Sequence, residues 1–313
     1  MREESNKLQK LIVICGPTAS GKTSWSLELA KKYDGDITSA DSRQIYKKMD
    51  IGTAKEKGEW RWDKLRRTFF IDDVPHHLMD FLDPGKTFTV AEFRDKAMKY
   101  AKLAHYQGKI PFVVGGTGLY ISSLIDNFNI PRIPPNKKLR KSLETKPLPE
   151  LVKLLSAIDP AAVETIDKEN KRRLVRALEV TIMSGEPFSA QQTKGESVFD
   201  ILLIGIDQPR EVLYERINNR VDKQMKMGLI DEIKKLRKQK YSWNLPSMTG
   251  IGYRQFKNYF EGKMSLEQAV ENLKQANRNY AKRQITWFKR DKRIHWVKNI
   301  EEANKLILKF LEK

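Results

Sequence analysis

The sequence predicts an α/β fold in which a parallel sheet of buried strands is flanked by helices. The first observation is a glycine-rich loop, residues 16–23, which follows an apolar run at 11–15 and opens a segment with helical spacing. The second is the return of short apolar runs at 37–40, 110–114 and 201–206, with helical patterns between them. Such alternation is typical of a parallel sheet with helices on both faces.

The glycine-rich loop has the G-x-x-x-x-G-K-[ST] pattern of a phosphate-binding loop, so the predicted sheet is P-loop NTPase-like. Backbone N–H groups in such a loop turn towards an anion, and the helix N-terminus adds its positive dipole. Lys22 supplies a positive charge, and the Thr23 hydroxyl suits a Mg²⁺ ion that bridges two phosphates. A glycine turn without a ligand is the alternative. We expect a di- or triphosphate to be bound by Gly16, Pro17, Thr18, Ala19, Ser20, Gly21, Lys22 and Thr23.

Polar residues and glycines follow the second and third predicted strands. Asp41 comes directly after the run at 37–40. Ligands bind at the carboxyl ends of parallel strands, so this carboxylate can reach a substrate beside the phosphate loop. Capping of the following turn is its alternative role. Gly115 and Gly116 allow either a close backbone approach to a ligand or a simple sharp turn.

The strand pattern is interrupted between residues 131 and 197, where prolines begin a segment of helical patterns. Asn170 is expected to cap a helix with Leu174, Leu178 and Ile182 on one side and arginines on another. We predict three regions: the first part of the α/β core at 1–130, an all-helical insertion at 131–197, and the second part of the core at 198–313 with basic C-terminal helices. The two core parts must pack together, because neither has enough strands to form a sheet buried on both faces.

The chain is strongly basic, with 59 Lys+Arg against 40 Asp+Glu among 313 residues. This surplus favours a polyanionic partner, nucleic acid first, although a lysine-rich solvated surface is the alternative. Residues 278–293 interleave basic residues with Tyr280, Trp287 and Phe288, a pattern suited to stacking and backbone contact with RNA. Part of this aromatic set must pack the helix.

Arg216 and Arg220 are four residues apart on a predicted helix and so lie on one face of it. Two neighbouring guanidinium groups suit a pyrophosphate. The commoner alternative is that such arginines face solvent or bond to carboxylates.

The only cysteine, Cys15, permits no disulfide within the chain. This count, the charged N-terminus and the lack of long apolar runs predict a cytoplasmic protein without a membrane segment.

Several motifs together resemble the tRNA dimethylallyltransferases, the isopentenyl-tRNA transferases that prenylate adenosine 37 beside the anticodon. They occur in the order of that family across nearly the whole chain: 16–23 (GPTASGKT), 41–55 (DSRQIYKKMDIGTAK), 76–80 (HHLMD), 88–97 (FTVAEFRDKA), 115–120 (GGTGLY), 172–180 (RRLVRALEV), 249–255 (TGIGYRQ) and 280–291 (YAKRQITWFKRD). Lys55-Glu56 departs from the family, which commonly has Lys-Pro there.

The resemblance implies a reaction that moves a dimethylallyl group from dimethylallyl diphosphate to N6 of adenine, with pyrophosphate as the leaving group. Asp41 is then expected to orient N6 and accept its proton. Lys22, Thr23 with Mg²⁺, Arg216 and Arg220 are expected to neutralise the leaving group. The base leaves the anticodon stem-loop stack to react, and the protein is expected to act as a monomer. The implied tRNA-binding residues are Asp41, Ser42, Arg43, Gln44, Thr117, Arg140, Arg172, Arg173, Leu174, Val175, Arg176, Thr249, Gly250, Ile251, Gly252, Tyr253, Arg254, Lys282 and Arg283.

Two other functions share some of these features. A P-loop small-molecule or nucleoside kinase shares the loop and an Asp after the second strand, but does not account for the charge of +19 or the basic C-terminal helix. A non-catalytic RNA-binding GTPase or ATPase would be expected to show a strand that ends in a Mg²⁺-binding Asp, which is not evident.

Overall fold

The computed structural model describes residues 8–63, 66–191 and 193–312. The chain forms two compact units, one built from Met1–Ile125 together with Val198–Lys313 and the other from Asp126–Ser197. The helical segment was expected to begin at residue 131, and the second unit begins at Asp126.

The first unit contains an eight-stranded sheet with the order β3-β4-β5-β2-β6-β1-β7-β8. Its strands are β1 (Gln9–Cys15), β2 (Gly35–Ser39), β3 (Glu59–Asp63), β4 (Arg66–Ile71), β5 (Val74–His77), β6 (Ile110–Gly115), β7 (Phe199–Ile206) and β8 (His295–Val297). β1 pairs in parallel with both β6 and β7, so the two parts of the chain share one sheet. Cys15 is in register with Gly115 and with Gly205, which brings the carboxyl ends of these strands to the same edge.

The sheet is mixed: the predicted parallel strands form its centre, and an antiparallel edge that was not predicted extends it. β3 pairs antiparallel with β4, and β4 pairs antiparallel with β5. The turn from β4 to β5 uses Asp72 and Asp73, both at positive φ, in place of the glycine that usually signals a hairpin. β3 lies at the edge and leaves Trp62 72% exposed, so it lacks the apolar run of a buried strand.

Helices cover both faces of this sheet. The helices of the chain are α1 (Lys22–Lys32), α2 (Val90–Tyr106), α3 (Gly118–Ile125), α4 (Lys137–Glu144), α5 (Leu148–Ile158), α6 (Pro160–Thr165), α7 (Lys171–Ser184), α8 (Phe188–Gln191), α9 (Arg210–Lys226), α10 (Leu229–Lys238), α11 (Lys257–Phe260), α12 (Leu266–Phe288) and α13 (Ile300–Glu312). Alternate residues of β1 point to opposite faces. Val13 therefore packs in one core with Phe93 of α2, and Ile14 packs in another with Leu29 of α1 and Ile307 of α13. The α/β fold with flanking helices is thus confirmed.

The second unit contains helices α4 to α8, and its core includes Leu151, Leu155 and Leu178. Glu179 of α7 is fully buried and accepts bonds from the guanidinium groups of Arg140 and Arg176. The sequence placed Ile182 on the apolar side of α7, which is wrong, because Ile182 is 51% exposed.

In the part of the chain that the structure describes, no helix is long and apolar enough to cross a membrane.

Candidate active site

The phosphate loop connects β1 to α1. Gly21 is the N-cap of α1 at φ +98°, a left-handed conformation that favours glycine. Because this N-cap has no side chain to accept hydrogen bonds, the first N–H groups of α1 are not capped locally. The buried Ser20 hydroxyl also has no hydrogen-bond partner among the described residues. These donors suit a ligand that supplies oxygen atoms, as the loop motif predicts.

Lys22 lies inside the loop, where its ammonium group donates to the Pro17 carbonyl over 2.6 Å. The pKa of Lys22 is lowered to about 8, chiefly by burial, while the charge of Asp41 raises it and that of Arg220 lowers it. The side chains of Lys22, Arg220 and Asp41 therefore interact electrostatically in one site. A cation held in such a desolvated position interacts strongly with an anionic ligand.

Arg220 contacts the loop directly. Its guanidinium group donates to the Thr18 hydroxyl over 3.2 Å and to the Thr53 carbonyl over 3.1 Å. Burial lowers the pKa of Arg220 from its ordinary value. Arg216, one turn earlier on α9, is exposed. The structure thus places one of the two paired arginines at the phosphate loop and leaves the other in solvent.

Asp41 lies just beyond β2, close to the loop. Its Oδ1 atom accepts the backbone N–H groups of Arg43, over 2.8 Å, and Gln44, over 3.3 Å. Asp41 therefore caps the following turn, the alternative role that the sequence left open. Its charge also raises the pKa of Lys22 and that of Tyr280. Asp41 thus caps the turn with one oxygen and also contributes its charge to the site.

A cluster of hydroxyl groups lies beside Asp41. The Thr117 hydroxyl accepts the Ser42 N–H over 3.1 Å and lies 3.4 Å from the Ser42 hydroxyl. Tyr280 of α12 bonds to Thr117, and burial raises the pKa of Tyr280 to about 12. The side chain of Tyr280 is half-buried, and its hydroxyl belongs to this cluster beside Asp41.

Gln284 is a site residue that the sequence did not single out. Its side chain accepts from the Thr18 N–H and donates to the Gly116 carbonyl, both over 2.8 Å. It therefore joins the phosphate loop to the turn after β6. Its spacing of four residues from Tyr280 places both on one face of α12, and that spacing was the available signal.

Five members of the implied tRNA-binding set are buried, namely Leu174, Val175, Gly250, Gly252 and Tyr253. Leu174 and Val175 belong to the core of the second unit, at 0% and 3% exposure. Tyr253 is 1% exposed in the core of the first unit. Buried side chains at these positions cannot contact RNA without repacking.

The other implied tRNA-binding residues differ in exposure. Arg140 and Arg176 bond to Glu179, and Arg43 bonds to the Pro246 carbonyl. The exposed members are Arg172, Arg173, Arg254, Lys282 and Arg283. These five cations have the exposure that phosphate contacts require.

The described residues contain no group of three or more His, Cys, Asp or Glu side chains that could hold a metal ion. The half-buried Thr23 hydroxyl, next to Lys22, is the oxygen donor that the motif offers. Mg²⁺ commonly keeps several waters and takes substrate phosphates with one or two protein ligands. The residues present therefore fit a Mg²⁺ ion that is held chiefly by a bound diphosphate.

Comparison with known proteins gives the same family throughout. A tRNA dimethylallyltransferase from Anoxybacillus flavithermus is 41% identical over 290 residues, which are 92% of this chain and 90% of the relative. The crystal structure of a full-length tRNA isopentenylpyrophosphate transferase from Bacillus halodurans is 39% identical, with a TM-score of 0.71 and coverage of 97% of both chains. The structure of a eukaryotic dimethylallyltransferase acting on tRNA is 29% identical, with a TM-score of 0.73, and covers 89% of this chain and 69% of that one.

Family models agree with these relatives. A model described as isopentenyl transferase matches residues 9–77, and the model described as IPP transferase matches residues 44–291, most of the chain. The resemblance inferred from the motifs is thereby confirmed, and this chain belongs to the IPP transferase family.

Proposed function

We propose that this protein transfers a dimethylallyl group from dimethylallyl diphosphate to N6 of adenosine 37 in tRNA and releases diphosphate. One observation carries the proposal: the phosphate loop, the guanidinium group of Arg220 and the Asp41 carboxylate meet in one site. The names of the relatives supply the class of reaction.

The diphosphate binds at the loop in this proposal. The N–H groups of α1, the Lys22 ammonium and the Arg220 guanidinium are donors around one position. Breaking the allylic C–O bond places negative charge on the leaving diphosphate, and fixed cations stabilise that charge in the transition state. Thr23 would hold Mg²⁺, which when bound would neutralise part of the same charge.

Asp41 acts on the nucleophile. N6 of adenine forms a bond to the allylic carbon and loses one proton, which the free oxygen of Asp41 accepts. Its other oxygen is fixed by the N–H groups of Arg43 and Gln44, so the carboxylate is held in one orientation. A carboxylate that accepts from the N6 amino group also favours adenine over bases that lack this donor.

The tRNA is bound by exposed cations, in the first unit Arg254, Lys282 and Arg283 and in the second Arg172 and Arg173. Contacts to the phosphate backbone supply much of the affinity and little of the sequence preference. We propose a cytoplasmic location, which the single, buried Cys15 supports.

The test is to incubate the protein with an unmodified tRNA transcript and radiolabelled dimethylallyl diphosphate, without ATP. We expect label in the tRNA, and none in a transcript that carries guanosine at position 37. A parallel reaction with γ-labelled ATP and nucleosides tests the kinase alternative. Phosphate transfer without prenyl transfer would overturn the proposal.

A further inference from the structure

The Glu232 carboxylate binds the backbone of the loop at residues 50–54. Glu232 of α10 accepts the N–H groups of Asp50 and Ile51 at Oε2, each over 2.8 Å, and that of Gly52 at Oε1 over 2.9 Å. The Tyr253 hydroxyl donates to the same Oε1 over 2.7 Å. Hydrogen bonds to an ionised carboxylate are stronger than those between neutral groups. Four donors on one carboxylate therefore fix the backbone of this loop.

The Tyr253 side chain packs against the 50–54 loop. Its ring is 1% exposed, and burial, together with the charge of Glu232, raises its pKa well above the ordinary value, so the hydroxyl stays protonated and donates. The ring lies so close to Gly52 that a Cβ there would overlap its Cζ atom. A Cβ at Gly252, at φ +106°, would overlap the Gly52 carbonyl oxygen. The segment 249–254 and the loop thus pack backbone to backbone.

The other side of the same loop contacts the phosphate site. The Thr53 carbonyl accepts from Arg220, whose second contact is the Thr18 hydroxyl of the phosphate loop. Gln224, one turn further along α9, donates to the Ile51 carbonyl over 2.6 Å. The loop therefore lies between the Glu232–Tyr253 pair and the guanidinium group of Arg220.

We propose that Glu232 and Tyr253 are positioning residues that hold the 50–54 loop so that the Thr53 carbonyl orients Arg220 towards the diphosphate. This inference rests on the proposed function, in which Arg220 binds the leaving group. An arginine side chain has several rotatable bonds, and fixing one end of its guanidinium group before binding reduces the entropy lost when the ligand binds. It also gives Tyr253 a role within the protein in place of RNA contact.

A purely structural role makes a different prediction. If the Glu232–Tyr253 pair only stabilised the fold, its loss would lower the melting temperature and leave the affinity of the folded protein for diphosphate unchanged. If the pair positions Arg220, its loss weakens diphosphate binding through Arg220. The effect should then disappear when Arg220 is already absent, because mutations that act through one group are not additive.

The experiment measures the Kd of inorganic pyrophosphate by calorimetry for Tyr253→Phe, Glu232→Gln, Arg220→Ala and the double variant Glu232→Gln/Arg220→Ala. Asp231→Asn is the matched control, because Asp231 is the exposed neighbour of Glu232 on α10. The affinity for tRNA and the melting temperature are measured for each variant. Tyr253→Phe keeps the ring against Gly52 and removes only the hydroxyl, so it tests the inference even if Glu232→Gln does not fold.

We expect Tyr253→Phe to raise the Kd only about 3-fold, because the loop N–H groups still bond to Glu232. We expect Glu232→Gln to raise it about 10-fold or more, the range for losing a hydrogen bond to a charged group. We expect tRNA affinity to be unchanged and the double variant to match Arg220→Ala. Normal pyrophosphate affinity in Tyr253→Phe and Glu232→Gln, or fully additive losses, would overturn the inference and leave the proposed function intact. Normal affinity in Arg220→Ala would instead reject the proposed diphosphate site, and the inference with it.

Discussion

Replacing Asp41 with asparagine separates its two roles in the structure. The substituted side chain would keep an oxygen for the N–H groups that Asp41 now accepts, from Arg43 and Gln44. Asn and Asp cap turns and helices about equally well, so we expect the free energy of unfolding to change by less than about 0.5 kcal/mol. The amide cannot accept a proton from N6, and its NH₂ group faces another donor.

The expected loss in turnover is about 10²–10⁴-fold, the usual contribution of a positioned general base. This corresponds to roughly 3–5 kcal/mol in the activation free energy. A second effect follows from the charge: because Asp41 raises the pKa of Lys22, its removal should bring that pKa below about 8. The assay is therefore best run at neutral pH or slightly below, where Lys22 stays protonated in the variant.

The measurement is single-turnover prenyl transfer at saturating tRNA, with variant and wild type compared. Asp83→Asn is the matched control, since Asp83 also uses Oδ1 to cap a turn, through the Gly85 N–H over 2.8 Å. We expect the control to react at the wild-type rate. A rate for Asp41→Asn within a few-fold of wild type would refute the assignment and return Asp41 to capping alone.

Three further predictions concern charge. Because burial lowers the pKa of Lys22 to about 8, the affinity for pyrophosphate should fall as the pH rises through that value and Lys22 loses its charge, and Lys22→Arg should remove this fall. Calorimetry would contradict the prediction if the wild-type affinity were the same at pH 7 and pH 9. Glu179→Ala should lower the free energy of unfolding by about 3 kcal/mol, because it leaves two arginines without their buried acceptor. Urea denaturation would contradict this if Glu179→Ala and the exposed control Glu169→Ala differed by less than about 1 kcal/mol. The double variant Lys282→Ala/Arg283→Ala should reduce the slope of log K for tRNA against log salt by about one for each phosphate that it no longer neutralises, whereas Lys305→Ala/Lys309→Ala on α13 should leave the slope unchanged. Equal slopes for the α12 variant and the wild type in filter binding would argue against RNA contact by α12.

The central parallel strands β1, β2, β6 and β7 could be predicted from sequence, and the antiparallel edge could not. β1, β6 and β7 are buried over most of their length, so each contains a continuous apolar run. β3 is an edge strand with the partly exposed sequence EWRWD, and its pattern differs little from that of a loop. Apolar patterns in a sequence reflect which side chains are buried, and few side chains of an edge strand such as β3 are buried.

The same distinction applies to the charged residues. Helical spacing correctly places Arg216 and Arg220 on one side of α9, but not which of them faces the phosphate loop. It also groups Arg176 with Arg172 and Arg173, although Arg176 bonds to the buried Glu179 while the other two are exposed. The spacing of residues along a helix predicts the relative direction of their side chains around the helix axis. It does not predict which other elements each side of the helix packs against.

The sequence by itself determined the phosphate loop, the Asp41 that follows a neighbouring strand, and the family. Each depends on residues close together in the chain, where backbone conformation and strand order limit the possible structures. Only the tertiary structure decided that Arg220 and Gln284 contact Thr18, across separations of 202 and 266 residues, and that Tyr253 is buried against the 50–54 loop. Such contacts arise from the packing of distant segments into one core, and no local pattern contains that packing.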